Sequence, residues 1–302
     1  MTNPDSNNNK TVPVFINPES GSASGIIDLL RQDQRLMVYA LPAADMADAI
    51  RKAIEDGATR ILVSGGDGTI ALASSVLAGT AIALGVIPGG TLNHFAGRLG
   101  IPTDPQAAIE LALTGQAQPV DVGYVNDQLF INTSSVGAYV RFVRTRDYLE
   151  RRMNYQLASL FAGLRRLLRL RSARIQLDGN TIRTPLVFIG VGERKLTLPN
   201  VGQARADGQN GLHLLAVRTE NWQETLKLVF NVLLWGRDPL KQAQALEDRM
   251  IGSLVLDYRR KRRRIHVTVD GELVFLKPPL NYRFAAGELL VIIPDTTSSL
   301  CR

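Results

Sequence analysis

The stretch Ile61-Leu62-Val63-Ser64-Gly65-Gly66-Asp67-Gly68-Thr69 decides how the first part of this chain folds. Apolar residues precede the glycines, and a helix-forming run from Ile70 to Leu77 follows them. The pattern therefore predicts a strand, a tight glycine turn and a helix. Glycine lets backbone N–H groups approach phosphate oxygens closely, and a helix N-terminus adds partial positive charge. We predict a phosphate-binding loop here.

Asp67 is an unexpected residue for this loop, because its negative charge would repel phosphate. A carboxylate is useful at this position if it meets a metal ion or orients a hydroxyl nucleophile. The alternative is a plain glycine-rich turn that carries a surface aspartate.

Repeated β-α units around this loop predict an α/β domain. The predicted strands are 12–16, 36–40, 60–63 and 83–87, and the predicted helices are 24–31, 44–56 and 70–78. Such alternation is typical of a mostly parallel sheet with helices on both faces. Ligands of these sheets bind beyond the carboxyl ends of the strands. The loops at Asn17, Gly65 and Gly89 are therefore expected to meet at one edge.

From Asp121 onward, short β-like runs joined by turn residues, among them 265–269 and 289–293, predict a second, β-rich domain. The predicted boundaries are 11–122 for the α/β domain and 123–295 for the β-rich domain, with the C-terminal segment able to pack back on the first. Residues 1–10 form a polar tail without the apolar core of a signal peptide, and we expect the tail to be disordered. The predicted fold class is a Rossmann-like or phosphofructokinase-like parallel sheet, a β-sandwich and an active-site cleft between them.

The charge balance favours anionic partners. The 302 residues include 35 Lys and Arg against 28 Asp and Glu, a net charge of +7. Nucleotides, nucleic acids and acidic membrane surfaces attract such a protein. No zinc-finger spacing or aromatic stacking platform is present, so nucleic acid is not expected as a partner. The single cysteine, Cys301, precludes a disulfide within the chain and fits a reducing cytoplasm.

Five short motifs occur in the order seen in the diacylglycerol kinase catalytic-domain family. They are Asn17-Pro18 with Ser20-Gly21, Gly65-Gly66-Asp67-Gly68-Thr69, Pro88-Gly89-Gly90-Thr91-Leu92-Asn93, Val120-Asp121-Val122-Gly123 and Asp270-Gly271-Glu272. Each motif alone is weak evidence, but five in order are strong. The chain resembles a soluble bacterial member of this lipid kinase group, which is related to sphingosine kinases.

The resemblance implies ATP- and Mg²⁺-dependent phosphorylation of a lipid hydroxyl, with diacylglycerol converted to phosphatidic acid as the default. Residues 11–122 would bind the nucleotide and 123–295 the lipid. The implied nucleotide contacts are Asn17, Ser64, Gly65, Gly66, Asp67, Gly68, Thr69, Ile70, Gly90, Thr91 and Asn93. Glu272 would be the general base, with Asp67 the second catalytic residue. A catalytic Mg²⁺ would lie at Asp67 and Asp121, directly or through water, and a weak structural Mg²⁺ at Asp207, Asn210 and Leu212.

The residue chemistry supports these roles independently. Glycine turns with the Thr69 and Thr91 hydroxyls can cradle phosphates, and Mg²⁺ is commonly held by one or two carboxylates that leave it several waters. The Asp-Gly pair before Glu272 predicts a hairpin turn that would present this carboxylate. An ordinary exposed turn acid is the alternative for Glu272.

Three positions depart from the family pattern. His94 follows Asn93 where many members have aspartate, and it could donate to phosphate or cap the next helix. Ala40 stands where a threonine contacts the nucleotide in relatives. Asn210 replaces an aspartate of the structural metal loop, which predicts a weaker metal site.

Membrane docking is expected of a lipid kinase, at the cytoplasmic side of the inner membrane. The run 150–170 predicts an amphipathic helix whose apolar stripe is flanked by arginines, as in helices that lie on anionic bilayers. Ordinary packing on the β-rich domain is an equal alternative. The apolar segment 226–235 is a second docking candidate, and the basic block 259–264 is favoured as a solvated strand edge.

Two other functions stay open. NAD kinases and phosphofructokinases resemble this family in the Gly-Gly-Asp-Gly loop. A soluble molecule is therefore an alternative phosphate acceptor. A non-catalytic nucleotide or lipid sensor of the same fold is the third interpretation, motivated by His94, Ala40 and Asn210. The identity of the acceptor lipid and the assembly, with a homodimer one option, are not readable from the sequence.

Overall fold

A computed structural model describes residues 11–20, 23–137, 173–177, 180–184, 186–194, 208–217, 246–257 and 264–295. The chain divides into unit 1, Met1–Val120 with Gly287–Arg302, and unit 2, Asp121–Ala286. Within the described ranges, no helix is long and apolar enough to cross a membrane. The predicted tail 1–10, the helix 150–170, the segment 226–235 and most of the block 259–264 lie outside the described residues.

Unit 1 contains a parallel sheet with helices. In chain order its elements are β1 (Val12–Ile16), α1 (Ala23–Gln32), β2 (Leu36–Ala40), α2 (Ala43–Glu55), β3 (Arg60–Gly65), α3 (Asp67–Leu77), β4 (Ala83–Pro88), α4 (His94–Arg98) and α5 (Pro105–Thr114). The strand order is β2-β1-β3-β4, and all these pairs are parallel. Apolar residues of β1, β3 and β4 form a core with the buried faces of α1 and α5.

Local signals end and begin the helices of unit 1. After α2, Gly57 takes a positive φ of 84°, and the Ala58 N–H donates to the Ala53 carbonyl. This is a glycine-terminated helix end. At α5, the Asp104 carboxylate accepts the Ala107 N–H at 2.9 Å, and Pro105 occupies the first turn.

Unit 2 is built from antiparallel strands. The remaining elements are β5 (Ala117–Val125), which begins in unit 1, then β6 (Gln128–Phe130), β7 (Thr133–Gly137), β8 (Ala173–Leu177), β9 (Asn180–Thr184), β10 (Leu186–Val191), β11 (Leu212–Val217), β12 (Leu246–Ile251), β13 (Ser253–Asp257), β14 (Ile265–Val269), β15 (Glu272–Leu276) and β16 (Leu280–Ile292). One sheet has six strands in the order β12-β11-β10-β7-β14-β15. A second antiparallel set joins β16 to β13, β13 to β8 and β8 to β9.

The core of unit 2 lies on one face of the six-stranded sheet. Val136, Ile189, Leu214 and Val267 contribute to it from four strands, and Tyr282 of β16 joins them. Strand β16 also continues into unit 1, where Val291 pairs in parallel with Leu84. The predicted fold class is confirmed: a parallel sheet with helices and a separate antiparallel β domain.

Candidate functional site

Three predicted loops lie together at the carboxyl edge of the parallel sheet in unit 1. Ile16 pairs with Ser64, and Ser64 pairs with Ile87, so β1, β3 and β4 end side by side. The Gly89 N–H donates to the Gly65 carbonyl at 2.9 Å. The expected convergence of the loops that follow these strands is therefore confirmed.

Glycine is required where the second and third loops touch. A Cβ atom on Gly90 would stand 2.5 Å from the Cα of Gly66, which is closer than real Cβ contacts come. A Cβ on Gly65 would stand 2.6 Å from the Cβ of Thr69. Backbone therefore packs directly on backbone where Gly66 meets Gly90, and the Thr69 side chain packs directly on the backbone at Gly65.

Asp67 joins the two glycine loops. Its carboxylate accepts the N–H of His94 through Oδ2 and the N–H of Phe95 through Oδ1, both at 3.0 Å. Two backbone donors at the start of α4 are thereby satisfied. Such donors are usually capped by a residue immediately before the helix. His94 is the first residue of α4 and receives this cap, so the interpretation of His94 as the cap is wrong. The capping role of Asp67 was not predicted from its motif, since its partners are 27 and 28 residues away.

Asn93 shapes the third loop. It adopts a left-handed backbone with φ of 47°, a conformation that asparagine tolerates better than most residues. Its Oδ1 accepts the Gly90 N–H at 2.9 Å, and its Nδ2 donates to the Gly90 carbonyl at 2.7 Å. At the first loop, Asn17 Oδ1 accepts the Glu19 N–H at 3.0 Å. Both predicted nucleotide-binding asparagines therefore hold the bends of their loops.

The start of α3 leaves backbone donors without an intrahelical acceptor. The first N–H groups of α3, at Gly68 and Thr69, have no acceptor within the helix, and the preceding residue Gly66 carries no side chain to cap them. Within the part of the chain that the structure describes, the buried Ser64 hydroxyl has no hydrogen-bond partner. Open donors on a glycine cradle are what phosphate oxygens require.

Glu272 occupies the position that its motif predicts within unit 2. Val269 pairs with Glu272 across a tight turn formed by Asp270, with φ of 47°, and Gly271, with φ of 89°. Both turn residues have positive φ, as hairpins with an Asp-Gly turn require. The predicted hairpin is confirmed, and Glu272 is the exposed first residue of β15.

Asp270 has a structural task that the sequence analysis did not assign. Its carboxylate accepts the backbone N–H groups of Ile131, Asn132 and Thr133 at 2.8, 2.8 and 2.9 Å. Its own N–H donates to the Thr133 carbonyl at 2.8 Å. The loop before β7, residues 131–133, is therefore tied to the hairpin that carries Glu272.

The metal predictions meet the structure only in part. Among the described residues, no group of three or more His, Cys, Asp and Glu side chains could hold a metal ion. Mg²⁺ commonly uses one or two carboxylates with waters and phosphate oxygens, so Asp67 and the half-buried Asp121 remain chemically suitable. Of the structural set, Asp207 is outside the described residues, Asn210 is exposed and Leu212 is buried at the start of β11. Both metal sites stay predictions.

Comparison with known proteins confirms the resemblance. The model of the diacylglycerol kinase catalytic domain matches residues 11–125. The chain is 33% identical over 156 residues, 49% of its length, to a Cronobacter sakazakii protein named "Probable lipid kinase YegS-like", covering 52% of that relative. It is 34% identical over 186 residues, 56% of its length, to a "Diacylglycerol kinase" of Mycobacterium tuberculosis, covering 59% of that relative. The matches thus span about half the length of these curated relatives.

A solved structure shows the same fold. The crystal structure of a diacylglycerol kinase from Bacillus anthracis superposes with a TM-score of 0.62. The superposition covers 94% of this chain and 97% of the other, at 21% sequence identity. At this identity the likeness supports the fold alone.

Proposed function

From the match of residues 11–125 to the diacylglycerol kinase catalytic domain, we propose that this protein is an ATP- and Mg²⁺-dependent lipid kinase. The observation that carries the proposal is the pair of glycine loops locked together by Asp67 at the carboxyl edge of the parallel sheet. These loops lie within the matched segment. Diacylglycerol is the proposed acceptor, converted to phosphatidic acid, because the matched relatives are named as lipid and diacylglycerol kinases.

The ATP phosphates would bind at the start of α3. The N–H groups of Gly68 and Thr69 can donate to phosphate oxygens, because Gly66 before them carries no side chain to cap them. The hydroxyls of Ser64, Thr69 and Thr91 add further donors. Asp67 and Asp121 would hold Mg²⁺, directly or through water, and the bound ion supplies neutralisation of phosphate charge.

Glu272 would act as the general base. Its carboxylate would take the proton of the lipid hydroxyl while the hydroxyl oxygen bonds to the γ-phosphorus and ADP departs. The hairpin turn at Asp270 and Gly271 and the bonds from Asp270 to residues 131–133 support this role, because they hold the backbone that carries Glu272. A general base must be held within hydrogen-bond reach of its proton.

The remaining predicted properties belong to the same proposal. The lipid acceptor implies contact with an anionic membrane surface. We propose that the protein acts at the cytoplasmic side of the inner membrane. The basic helix predicted at 150–170 and the segment 226–235 are the docking candidates. A structural Mg²⁺ at Asp207, Asn210 and Leu212 is the weakest of these proposals, since asparagine offers no charge.

The test is a phosphate-transfer assay with purified protein, Mg²⁺ and γ-labelled ATP. Mixed micelles would contain diacylglycerol, monoacylglycerol, phosphatidylglycerol or sphingosine, with NAD as a soluble acceptor. We expect one labelled lipid, and a rate reduction of about 10²- to 10⁴-fold in Glu272→Gln, the usual range for loss of a general base. Asp127→Asn is the matched control, because Asp127 is an exposed turn carboxylate of the same unit.

The outcomes separate the candidate functions. A labelled lipid that persists in Glu272→Gln would reject the assignment of the base. A labelled NAD without a labelled lipid would establish a soluble acceptor. Binding of ATP with no transfer to any acceptor would leave a sensor of the same fold.

A further inference from the structure

A series of hydrogen bonds crosses one end of the six-stranded sheet of unit 2 and reaches the hairpin of Glu272. It runs through Asp248, His213, Arg194, Asn132 and Asp270, and we term these residues the polar belt. We propose that the polar belt positions the Glu272 hairpin, with Arg194 as the central positioning residue. The catalytic part of this inference rests on the proposed function, and its structural part does not.

The first half of the belt joins β12, β11 and the residue that follows β10. His213 Nε2 lies 2.6 Å from Asp248 Oδ1, and His213 Nδ1 accepts the Arg194 backbone N–H at 2.7 Å. A ring nitrogen that accepts an N–H carries no proton, so the hydrogen bonds assign the proton to Nε2, which donates to Asp248. The His213 side chain is 4% exposed, and the backbone of Arg194 is thereby anchored in the interior.

The second half joins Arg194 to the Glu272 hairpin. Arg194 Nη2 donates to the carbonyls of Asn132 and Val191, both at 2.6 Å. The Asn132 N–H donates to Asp270 Oδ1 at 2.8 Å. Asn132 is therefore held at its carbonyl by a guanidinium and at its amide by a carboxylate. Only Gly271 separates Asp270 from Glu272.

The belt visits the strands of the sheet in their spatial order. Asp248 lies on β12, His213 on β11, Arg194 after β10, Asn132 before β7, and Asp270 after β14, and Glu272 begins β15. Asp248 lies in the middle of β12, opposite Leu215. The other sites are at the same end of their strands, since neighbouring residues pair there from one strand to the next. The position of the edge hairpin is thus coupled to the whole width of the sheet.

Arg194 is seated with little freedom. It is 5% exposed, and its Nη2 donates to two backbone carbonyls, of Asn132 and Val191. A Cβ on Gly190 would stand 2.6 Å from Arg194 Nε and 2.7 Å from its Cγ. The arginine side chain therefore lies directly on the backbone of Gly190. A buried cation aimed at one carbonyl of a loop fixes that loop in a single arrangement.

The test compares disruptive variants with conservative ones. Arg194→Met removes the donors to Asn132, and Gly190→Ala displaces an unchanged arginine. His213→Leu removes the acceptor of the Arg194 N–H, whereas His213→Asn keeps an acceptor oxygen and Arg194→Lys keeps a charged donor. His266→Asn is the matched control, because His266 lies on β14 of the same sheet, with its ring centroid 4.3 Å from that of Phe275, and is no member of the belt.

Two readouts are taken on each full-length variant. Amide hydrogen exchange reports the protection of residues 131–133 and of the hairpin at Glu272. Kinetics in mixed micelles report kcat and KM separately. We expect at least about tenfold faster exchange at these amides in the disruptive variants. We also expect a fall in kcat of about 100-fold, as for a misplaced catalytic group, with the KM for ATP changed by less than about twofold.

The conservative variants should recover most of the exchange protection and of kcat, and His266→Asn should match the wild type. Unchanged amide exchange rates at residues 131–133 and at the Glu272 hairpin in Arg194→Met and Gly190→Ala would overturn the proposal that the polar belt holds these segments. Faster exchange with unchanged kcat, or a raised KM alone, would overturn its positioning role. If Arg194→Met fails to fold, Gly190→Ala and the His213 pair decide the same question.

The two failures are distinguishable. A wild-type protein that transfers phosphate to no acceptor would reject the proposed function. The exchange experiment would then still support the belt if protection is lost, or overturn it if protection is kept.

Discussion

Asp67 in unit 1 and Asp270 in unit 2 do the same chemical job over very different distances along the chain. Asp67 accepts two backbone N–H groups from residues 27 and 28 positions away. Asp270 accepts three from residues 137 to 139 positions away. In unit 1 one β-α unit brings the partners together, whereas in unit 2 the pairing of β14 with β7 must form first. The sequence predicts the β-α unit that brings the partners of Asp67 together, but it predicts neither the contacts of Asp67 nor the pairing of β14 with β7.

The means of holding the loops differ as well. In unit 1, glycines let two loops pack backbone against backbone at Gly66 and Gly90. In unit 2, the loop before β7 is held by polar groups, with Arg194 on one side and Asp270 on the other. A substitution that adds an atom is expected to disrupt the backbone contact in unit 1. A substitution that removes a donor or an acceptor is expected to disrupt the hydrogen-bonded loop in unit 2.

The largest expected effect is that of Asp270→Ala. The substitution leaves three backbone N–H groups without their carboxylate, so we expect the free energy of unfolding to fall by about 3 kcal/mol, given about 1–3 kcal/mol for each unsatisfied buried donor. Urea unfolding measures it. Asp127→Ala, at an exposed turn, should change stability by less than about 0.5 kcal/mol. A loss below about 1 kcal/mol in Asp270→Ala would mean that water replaces the carboxylate.

Gly90→Ala tests the steric contact of unit 1. The new Cβ would strike the Gly66 backbone, so we expect a loss of about 2 kcal/mol, in the range of an overpacked site. ATP affinity, followed by calorimetry, should fall as the two loops separate. The control is Gly97→Ala in α4, where nothing lies within 4 Å of the added atom and helix propensity favours alanine. Equal stability of the two variants would contradict a tight contact between the loops.

Asp67 allows its capping and catalytic roles to be separated. Asp67→Ala removes the carboxylate that accepts the first two N–H groups of α4. We expect the free energy of unfolding to fall by about 1 kcal/mol, the usual effect of a lost cap. Asp67→Asn keeps one acceptor oxygen and should retain most of that stability. We expect both variants to lose phosphate transfer, because neither has the negative charge for Mg²⁺. Activity in Asp67→Asn would show that the cap is the whole role of this residue.

The smallest effect concerns an exposed ion cluster of unit 1. Arg35 lies 2.8 Å from Asp33 and 2.9 Å from Glu110, and its hydrogen bond holds the pKa of the Asp33 carboxyl below its ordinary value. This stabilisation is present above the ordinary pKa of aspartate and is lost as the pH falls through the lowered pKa. Arg35→Met should therefore lower Tm slightly at neutral pH. The decrease should be smaller than those caused by the substitutions of Asp270, Gly90 and Asp67, because exposed ion pairs contribute little to stability. A difference in Tm that persists below the lowered pKa would exclude the ion cluster as its source.

Local pattern was sufficient for many elements. The strands predicted at 12–16, 36–40 and 265–269 have these bounds in the structure, since apolar residues there are flanked by turn residues. Strand β16 was predicted only over 289–293, but it spans Leu280–Ile292. Gly287, with φ of 61°, lies inside it, and a glycine within a strand is normally taken as a break.

The candidate site divides in the same way. The glycine loops and the Asp-Gly hairpin of Glu272 were predicted because their geometry depends on consecutive residues. The roles of Asn17, Thr91, Asp121 and Glu272 in binding and catalysis stay predictions. Arg194, His213 and Asp248 were missed, because their partners are 19 to 62 positions away in the chain and no short motif contains them.

The sequence by itself determined the two kinds of architecture, the glycine loops and the turn that precedes Glu272. All of these follow from periodicity and from backbone preferences that act within a few residues. Only the tertiary structure decided that Asp67 caps α4 and that a buried arginine holds the loop beside the hairpin. Those contacts form between segments that strand pairing brings together. The energy of a hydrogen bond depends on the position of its partner in space and not on the separation of the two residues in the sequence.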